Sequence, residues 1–225
     1  MVATNVANAS TPGYVRRTVQ VSENVLAGST AGVRSDGIGR SQNEALTAER
    51  RSLTSDLAQA DVLSSTWRTI SSMVGDTAEG TGLFKAFGSF ESALSNLALS
   101  PESGADASAV LNSANAIIRE FHSLSQMTVS LRTEADREIG QGRDIVNSAL
   151  KTIETLNGQL SGIDRTTGEA AALIDERNRV LDTISEYLPV QAVPRNYGMI
   201  DVVTPEGVFL LAGTARQVEF NTSSS

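Results

Sequence analysis

The stretch VLNSANAIIREFHSLSQMTVSLRTEADREIGQGRDIVNSALKTIETLNGQLSGI, residues 110–163, decides the fold. Val110, Ala114, Ile117, Phe121, Leu124, Thr128, Leu131 and Ala135 recur in alternating steps of four and three, which keeps one stripe of a helix apolar after a cap at Asp106. The rhythm slips at Glu138 and Ile139, beside Gly140 and Gly142. It resumes at Ile145, Ala149, Ile153, Leu156, Leu160 and Ile163. One continuous helix of this length would be a rod of about 80 Å at ~1.5 Å per residue, and the two glycines predict a kink or break in it.

Helical patterns flank this stretch on both sides. Upstream, from Ser41, Leu46, Leu53, Ala60, Trp67 and Val74 recur every seventh residue, with Leu63 and Ile70 between them, as in a coiled-coil seam. A shorter helix is marked by Leu83, Phe87, Phe90, Leu94 and Leu97, stops at Ser100-Pro101, and is expected to carry much of the aromatic core. Downstream, a helix from Glu169 places Leu173, Val180, Ile184 and Leu188 on one side and ends before Pro189.

After Pro189 the period changes to that of strands. Val190–Val193, Met199–Thr204 and Val208–Ala212 read as strands, with Pro205-Glu206-Gly207 as a turn and residues 217–220 as a possible fourth. So thin a sheet must be covered by a helix or completed by further chain. Residues 221–225 read as a flexible tail or a truncation.

Residues 1–9 read as the tail of a helix, stopped by Ser10-Thr11-Pro12-Gly13. Proline presets the first corner of a turn there, and glycine permits positive φ at the second. Val15, Arg17, Val19 and Val21 alternate with polar residues as in a strand. Gly28, Gly32, Gly37 and Gly39 then punctuate a segment without helical period, read as a long irregular connector. The helix at residues 1–9 is too short to stand alone and needs a longer helix or a partner.

The fold class expected is therefore mainly α: an elongated helical bundle with an extended N-terminal connector and the start of a small β domain. The expected division is residues 1–40 (end of a helix, turn motif and connector), 41–188 (helical bundle) and 189–225 (an incomplete β domain).

Composition narrows the function. The 18 Lys and Arg against 26 Asp and Glu give a net charge of -8, which opposes binding to nucleic acid. With no cysteine and one histidine, thiolate chemistry, disulfides and every site needing two imidazoles are excluded. No apolar run reaches the length of a membrane span, and Met1–Ser10 carries Asn5 and Asn8 where a signal peptide needs an apolar core. Gly28–Gly39 lacks the Lys-Ser/Thr ending of a phosphate-binding loop, and there is no Gly-x-Ser-x-Gly elbow. His122, one position off the apolar stripe, reads as a surface or boundary residue. The acidic pairs Asp136/Glu138 and Asp175/Glu176 stand three and four residues from arginines, and read as solvated ion pairs on helix faces. No catalytic residue, cofactor or metal ligand is expected, and the chain reads as non-enzymatic.

Asn5, Asn8, Thr11, Pro12, Gly13 and Tyr14 form Asn-x-x-Asn-x-x-Thr-Pro-Gly-Tyr, which resembles the N-terminal signature of the axial proteins of the bacterial flagellum. Rod proteins carry the same motif, whereas hook protein commonly departs from it at the positions of Pro12 and Tyr14. Gly32-Val33, Ile38, Arg40 and Leu46 are similar to the Gly-Val-x-Val-x-x-Ile-x-Arg stretch that leads into the first bundle helix, with Ser35 in place of the second Val. Leu173, Asp175, Arg177 and Leu181 lie in a segment that resembles Leu-x-Asp-x-Arg-Asp-x-Leu-Leu of the hook-associated protein 1 family, with Asn178 where Asp is usual. The strand pair around Gly207 to Gly213 is similar to the start of that family's β domain.

This resemblance implies a structural subunit at the hook-filament junction, located in the extracellular flagellum and exported through the flagellar type III channel without a cleaved signal peptide. The partners it implies are copies of itself in a ring, hook protein, the next hook-associated protein on the filament side, and an export chaperone if the C-terminal region exists. It implies no membrane insertion and no nucleic acid. The axial motif would be a subunit contact at the join between an inner coiled-coil layer and the next. Most of the N-terminal helix and the C-terminal helices are expected to lie outside this sequence. Two other readings are a rod or hook protein, which the Leu173–Leu181 segment opposes, and a carboxylate-dependent hydrolase of peptidoglycan using Asp175 and Glu176.

Overall fold

The structure is a computed structural model and describes residues 1–26, 29–76 and 78–221. Gly28 and the serine-rich residues 222–225 therefore lie outside the described residues. The elements run α1 (Val2–Ala7), β1 (Arg17–Leu26), β2 (Ser29–Arg40), α2 (Glu44–Val74), α3 (Gly82–Leu99), α4 (Gly104–Ser161), α5 (Gly168–Ser185), β3 (Gln191–Pro194), β4 (Ile200–Val203), β5 (Phe209–Ala212) and β6 (Thr214–Ala215). The chain is mainly α with two small sheets. It divides into two compact units, Met1–Ala58 with Gly140–Ser225, and Gln59–Ile139.

The first unit holds an apolar core. The C-terminal part of α4 supplies Val146, Ala149, Leu150 and Ile153, and α5 supplies Leu181 and Ile184. These close over Val190, just before β3, and over Ile200, Val202, Leu210 and Leu211 of the sheet β3-β4-β5-β6. The sheet is antiparallel, pairing Gln191 with Val203 and Val202 with Leu211. The fourth strand is Thr214–Ala215 and not residues 217–220. A Gly213 turn (φ 77°) brings the chain back at once. Residues 217–220 are instead pinned to α4, where the Asn147 amide donates to Val218 O at 3.0 Å and accepts from its N–H at 2.8 Å. Asn157, buried on the same helix, treats Ile200 likewise at 2.8 and 3.1 Å. Unpaired backbone groups in a core are costly, so each amide stands in for a missing strand neighbour.

No break occurs at the two glycines, because α4 runs unbroken from Gly104 to Ser161. Gly142 serves packing: it is buried, and a Cβ there would lie 2.9 Å from Cδ1 of the Tyr187 ring. The cap also moves. Ser103 accepts the Asp106 N–H at 3.2 Å, and the Asp106 carboxylate sits in the positive first turn.

The second unit consists of parts of α2 and α4 with all of α3. Its aromatic contact is an edge-to-face pair, Phe87 with Phe121, at 6.5 Å. Both rings stay about half exposed, and Ala93 is the buried apolar residue there, so the expected aromatic core is a partly open one.

The Gly-rich connector is a strand. β1 and β2 form a long antiparallel hairpin, pairing Arg17 with Arg40 and Val19 with Ile38, with Asp36 squeezed out between Gly37 and Ser35 as a bulge. The seam on α2 also behaves differently from its pattern. Leu46, Leu53, Leu63 and Trp67 are exposed, while the buried residues of α2 are Arg51 and Ser55 on the opposite side of the helix.

Candidate functional site

In the first unit the two sequence segments singled out above, the N-terminal motif and Leu173–Leu181, come together on one side of α5. The motif builds itself first. The Asn5 side chain donates to Arg17 O at 2.8 Å and accepts the Arg17 N–H at 3.0 Å, so a residue of α1 pairs with the first residue of β1. The Tyr14 hydroxyl donates to the same Asn5 oxygen at 2.8 Å. Asn8 donates to Thr4 O at 2.9 Å, closing the end of α1, and Thr11 donates to Asn8 at 3.3 Å. The turn closes through Tyr14 N–H to Thr11 O at 3.1 Å. Pro12 and Thr11 are exposed on its outside. Gly13 sits at φ 75°, where the aliphatic stem of Arg179 occupies the space a Cβ would need. Both the dihedral and the neighbour demand glycine.

Arg17 carries this joint to the body. Its guanidinium lies 5.1 Å from the centroid of the Tyr14 ring and donates to Asp175 Oδ2 at 3.0 Å. Arg40, facing Arg17 across the hairpin, donates to Asp175 Oδ1 through Nε at 3.0 Å and Nη2 at 2.6 Å. Asp175 is only 3% exposed. One buried carboxylate thus holds both strands, a charge-assisted arrangement strong in a low dielectric. The backbone adds Ile38 N–H to Thr166 O at 2.8 Å.

Two turns further along α5, Asp182 repeats the device with α2. It accepts from Arg50 Nη2 at 2.6 Å and from Arg51 Nε at 2.7 Å. Between the two aspartates, Asn178 donates to Gln42 at 3.2 Å, and its carbonyl accepts from Arg51 at 3.2 Å. Asp175, Asn178 and Asp182 follow helical spacing of three and four, so α5 has a polar face for the hairpin and α2 opposite its apolar face for the core.

Arg177, on the core side, is 7% exposed and has no carboxylate contact among the described residues. Its Nη1 donates to Gly198 O at 2.6 Å and to Asn157 at 3.3 Å. Burial, and after it the charge of Arg40, lowers its pKa to about 10. Its Nε, like that of Arg17, is buried without a hydrogen-bond partner. Above it, Tyr197 holds a left-handed conformation, φ 59°, on an exposed tip. Leu181 is fully buried in the core, and Leu173 is partly buried.

The reading of Asp175/Glu176 as a solvated pair holds for Glu176, which meets Arg179 at half-exposed positions, and fails for Asp175. A carboxylate buried under two guanidinium groups is out of reach of a polysaccharide, so Asp175 is not placed as the hydrolase reading requires. Arg137 pairs with Glu134, and His122 is exposed. Sequence reasoning missed the partnership of Arg17 and Arg40. The available signal was that Arg17 occupies an apolar phase of its strand, where a charged residue needs a buried counter-ion.

Residues 67–225 match the model of a family described as the flagellar hook-associated protein FlgK helical domain. Flagellar hook-associated protein 1 of Salmonella typhimurium is 24% identical over 235 residues, covering 100% of this chain and 42% of the relative. The Bacillus subtilis protein of that name is 23% identical over 217 residues, covering 91% and 43%. The chain thus spans about two fifths of the length of these relatives. The flagellar hook junction protein FlgK from Burkholderia pseudomallei superposes with a TM-score of 0.60 at 19% identity, over 76% of this chain and 29% of that one, a likeness of fold.

Proposed function

The chain belongs to the FlgK helical-domain family of flagellar hook-associated proteins, and from that premise we propose that it is a structural subunit of the bacterial flagellum that joins hook to filament. The family is a structural one, and no chemistry is asked of this chain. What supports the reading most is the joint at Asn5, Tyr14 and Arg17. A short helix, a fixed turn and a paired hairpin are locked to one another and then to Asp175, which sets the direction in which α1 leaves the body. A subunit that adapts one lattice to another needs such a fixed exit, because a free linker would transmit no orientation.

In this reading Asn5, Asn8 and Gly13 hold the joint, while Thr11, Pro12 and the exposed Val2 and Val6 of α1 meet a neighbouring subunit. Residues 1–40 carry the contact toward the inner layer, 41–188 the helical body, and 189–225 the start of an outer β domain. The partners are copies of the same chain in a ring, hook protein on one side and the next hook-associated protein on the other. A chaperone would serve any C-terminal region during export through the flagellar channel, which needs no cleaved signal peptide. No helix among the described residues is long and apolar enough to cross a membrane. Cells lacking the intact gene should assemble hooks and release filament subunits into the medium, and normal filaments in that strain would refute the proposal.

A further inference from the structure

Residues 1–41 stand apart from the rest of the first unit in how they are held. None of the described residues among them whose side chains are placed is fully buried. Charged groups are closely enclosed at the contact: the Arg17 and Arg40 side chains, 14% and 12% exposed, on the Asp175 side chain at 4%. Around this clip lie the Ile38 N–H to Thr166 O bond, an Arg17 bond to Gly168 O at 3.4 Å, and the Gly13 turn against Arg179. Within itself the segment is well tied, through the β1–β2 ladder, the two hydrogen bonds between Asn5 and Arg17, and Ser41 N–H to Arg16 O at 2.9 Å. The next element has its own anchor, Arg50 and Arg51 on Asp182.

We propose that residues 1–26 and 29–41 form a strap clipped shut by Asp175, which opens as one piece while α2 and the core stay in place. The clip is electrostatic and independent of the flagellar reading. One arginine from each strand converges on a single carboxylate, so losing that negative charge leaves two like charges facing each other in a poorly solvated place. Among the described residues no apolar side chain placed in the strap is fully buried, so its leaving opens no part of the apolar core. Once detached, its two-stranded ladder has no layer to lie on and frays, since an isolated hairpin is marginal in water.

The test is native-state amide hydrogen exchange on the whole chain. In the unaltered protein the amides of Arg17, Ile38 and Ser41 should share one opening, at least about tenfold more frequent than the opening that releases Ile153 and Leu181. Exchange of both groups through a single common opening would overturn the proposal. In Asp175→Asn the Ile38 amide should exchange at least about tenfold faster still, with Ile153 and Leu181 unchanged. Asp175→Glu should restore most of the Ile38 protection. Equal acceleration of strap and core, or no acceleration of the strap, would defeat the clip. If Asp175→Asn does not fold, the comparison within the unaltered chain decides alone.

Discussion

The two faces of α5 do opposite kinds of work. On one, Leu181 and Ile184 close over the sheet with Leu150 and Ile153, a contact that gains strength from every apolar atom it removes from water. On the other, Asp175 and Asp182 each take two arginines, contacts that depend on a few atoms being in place. Burial is non-directional and decides whether the unit folds. The arginine clasps are directional and decide where the N-terminal joint and the first turns of α2 point.

The largest way to break this contrast lies on the apolar face. Leu181→Ala should cost about 2–5 kcal/mol in urea unfolding, with sheet and helices lost together, because the cavity sits where α4, α5 and the sheet meet. Asn157→Ala should follow at about 2–3 kcal/mol in thermal unfolding, since it leaves the buried N–H and C=O of Ile200 without partners. Tyr14→Phe should cost about 1 kcal/mol, confined to the joint and read as faster exchange of the Arg17 amide while Leu181 is unaffected.

Two pH experiments sharpen the contrast further. Burial holds Arg177 at about 10 in the fold, below the ordinary arginine value, so the unfolded chain holds its proton more tightly. The penalty is then constant at lower pH and is relieved only as pH rises through that window. The difference in Tm between the protein and Arg177→Met should therefore be flat from about pH 6 to about 9. The smallest effect belongs to Glu154, whose pKa is held down by the Ala215 N–H and then by Lys151. A depressed carboxylate contributes stability above its ordinary value of 4.5 and loses it as pH falls below. Acid should loosen the Ala215 amide in exchange measurements, and Glu154→Gln should remove that pH dependence.

Much of the architecture was legible because period survives in sequence. The four-three rhythm of α4, the stop at Ser100-Pro101 and the strands after Pro189 all follow from patterns that one segment carries by itself. What escaped was pairwise. Gly32 and Gly37 look like loop residues until β1 is known to lie alongside, and the bulge at Asp36 absorbs the irregularity. Gly140 and Gly142 suggest a break until Tyr187 is found over the second of them. At the candidate site the six motif residues could be named, but the bonds of Asn5 to Arg17 and Tyr14 could not be read from them. The clasp could not, because Arg17, Arg40 and Asp175 lie 135 and 158 residues apart and no local rule joins them. The apolar seam of α2 misled for a related reason: a stripe announces that something apolar fits it, and in this fold the helix docks by Arg51 on its other side.

Asn5, Asn147 and Asn157 each bind both the N–H and the C=O of one distant residue, Arg17, Val218 and Ile200. Chemical ageing by deamidation would place an anionic oxygen against a carbonyl at any of these three points, turning attraction into repulsion. The molecule's durability is thereby tied to three amide nitrogens.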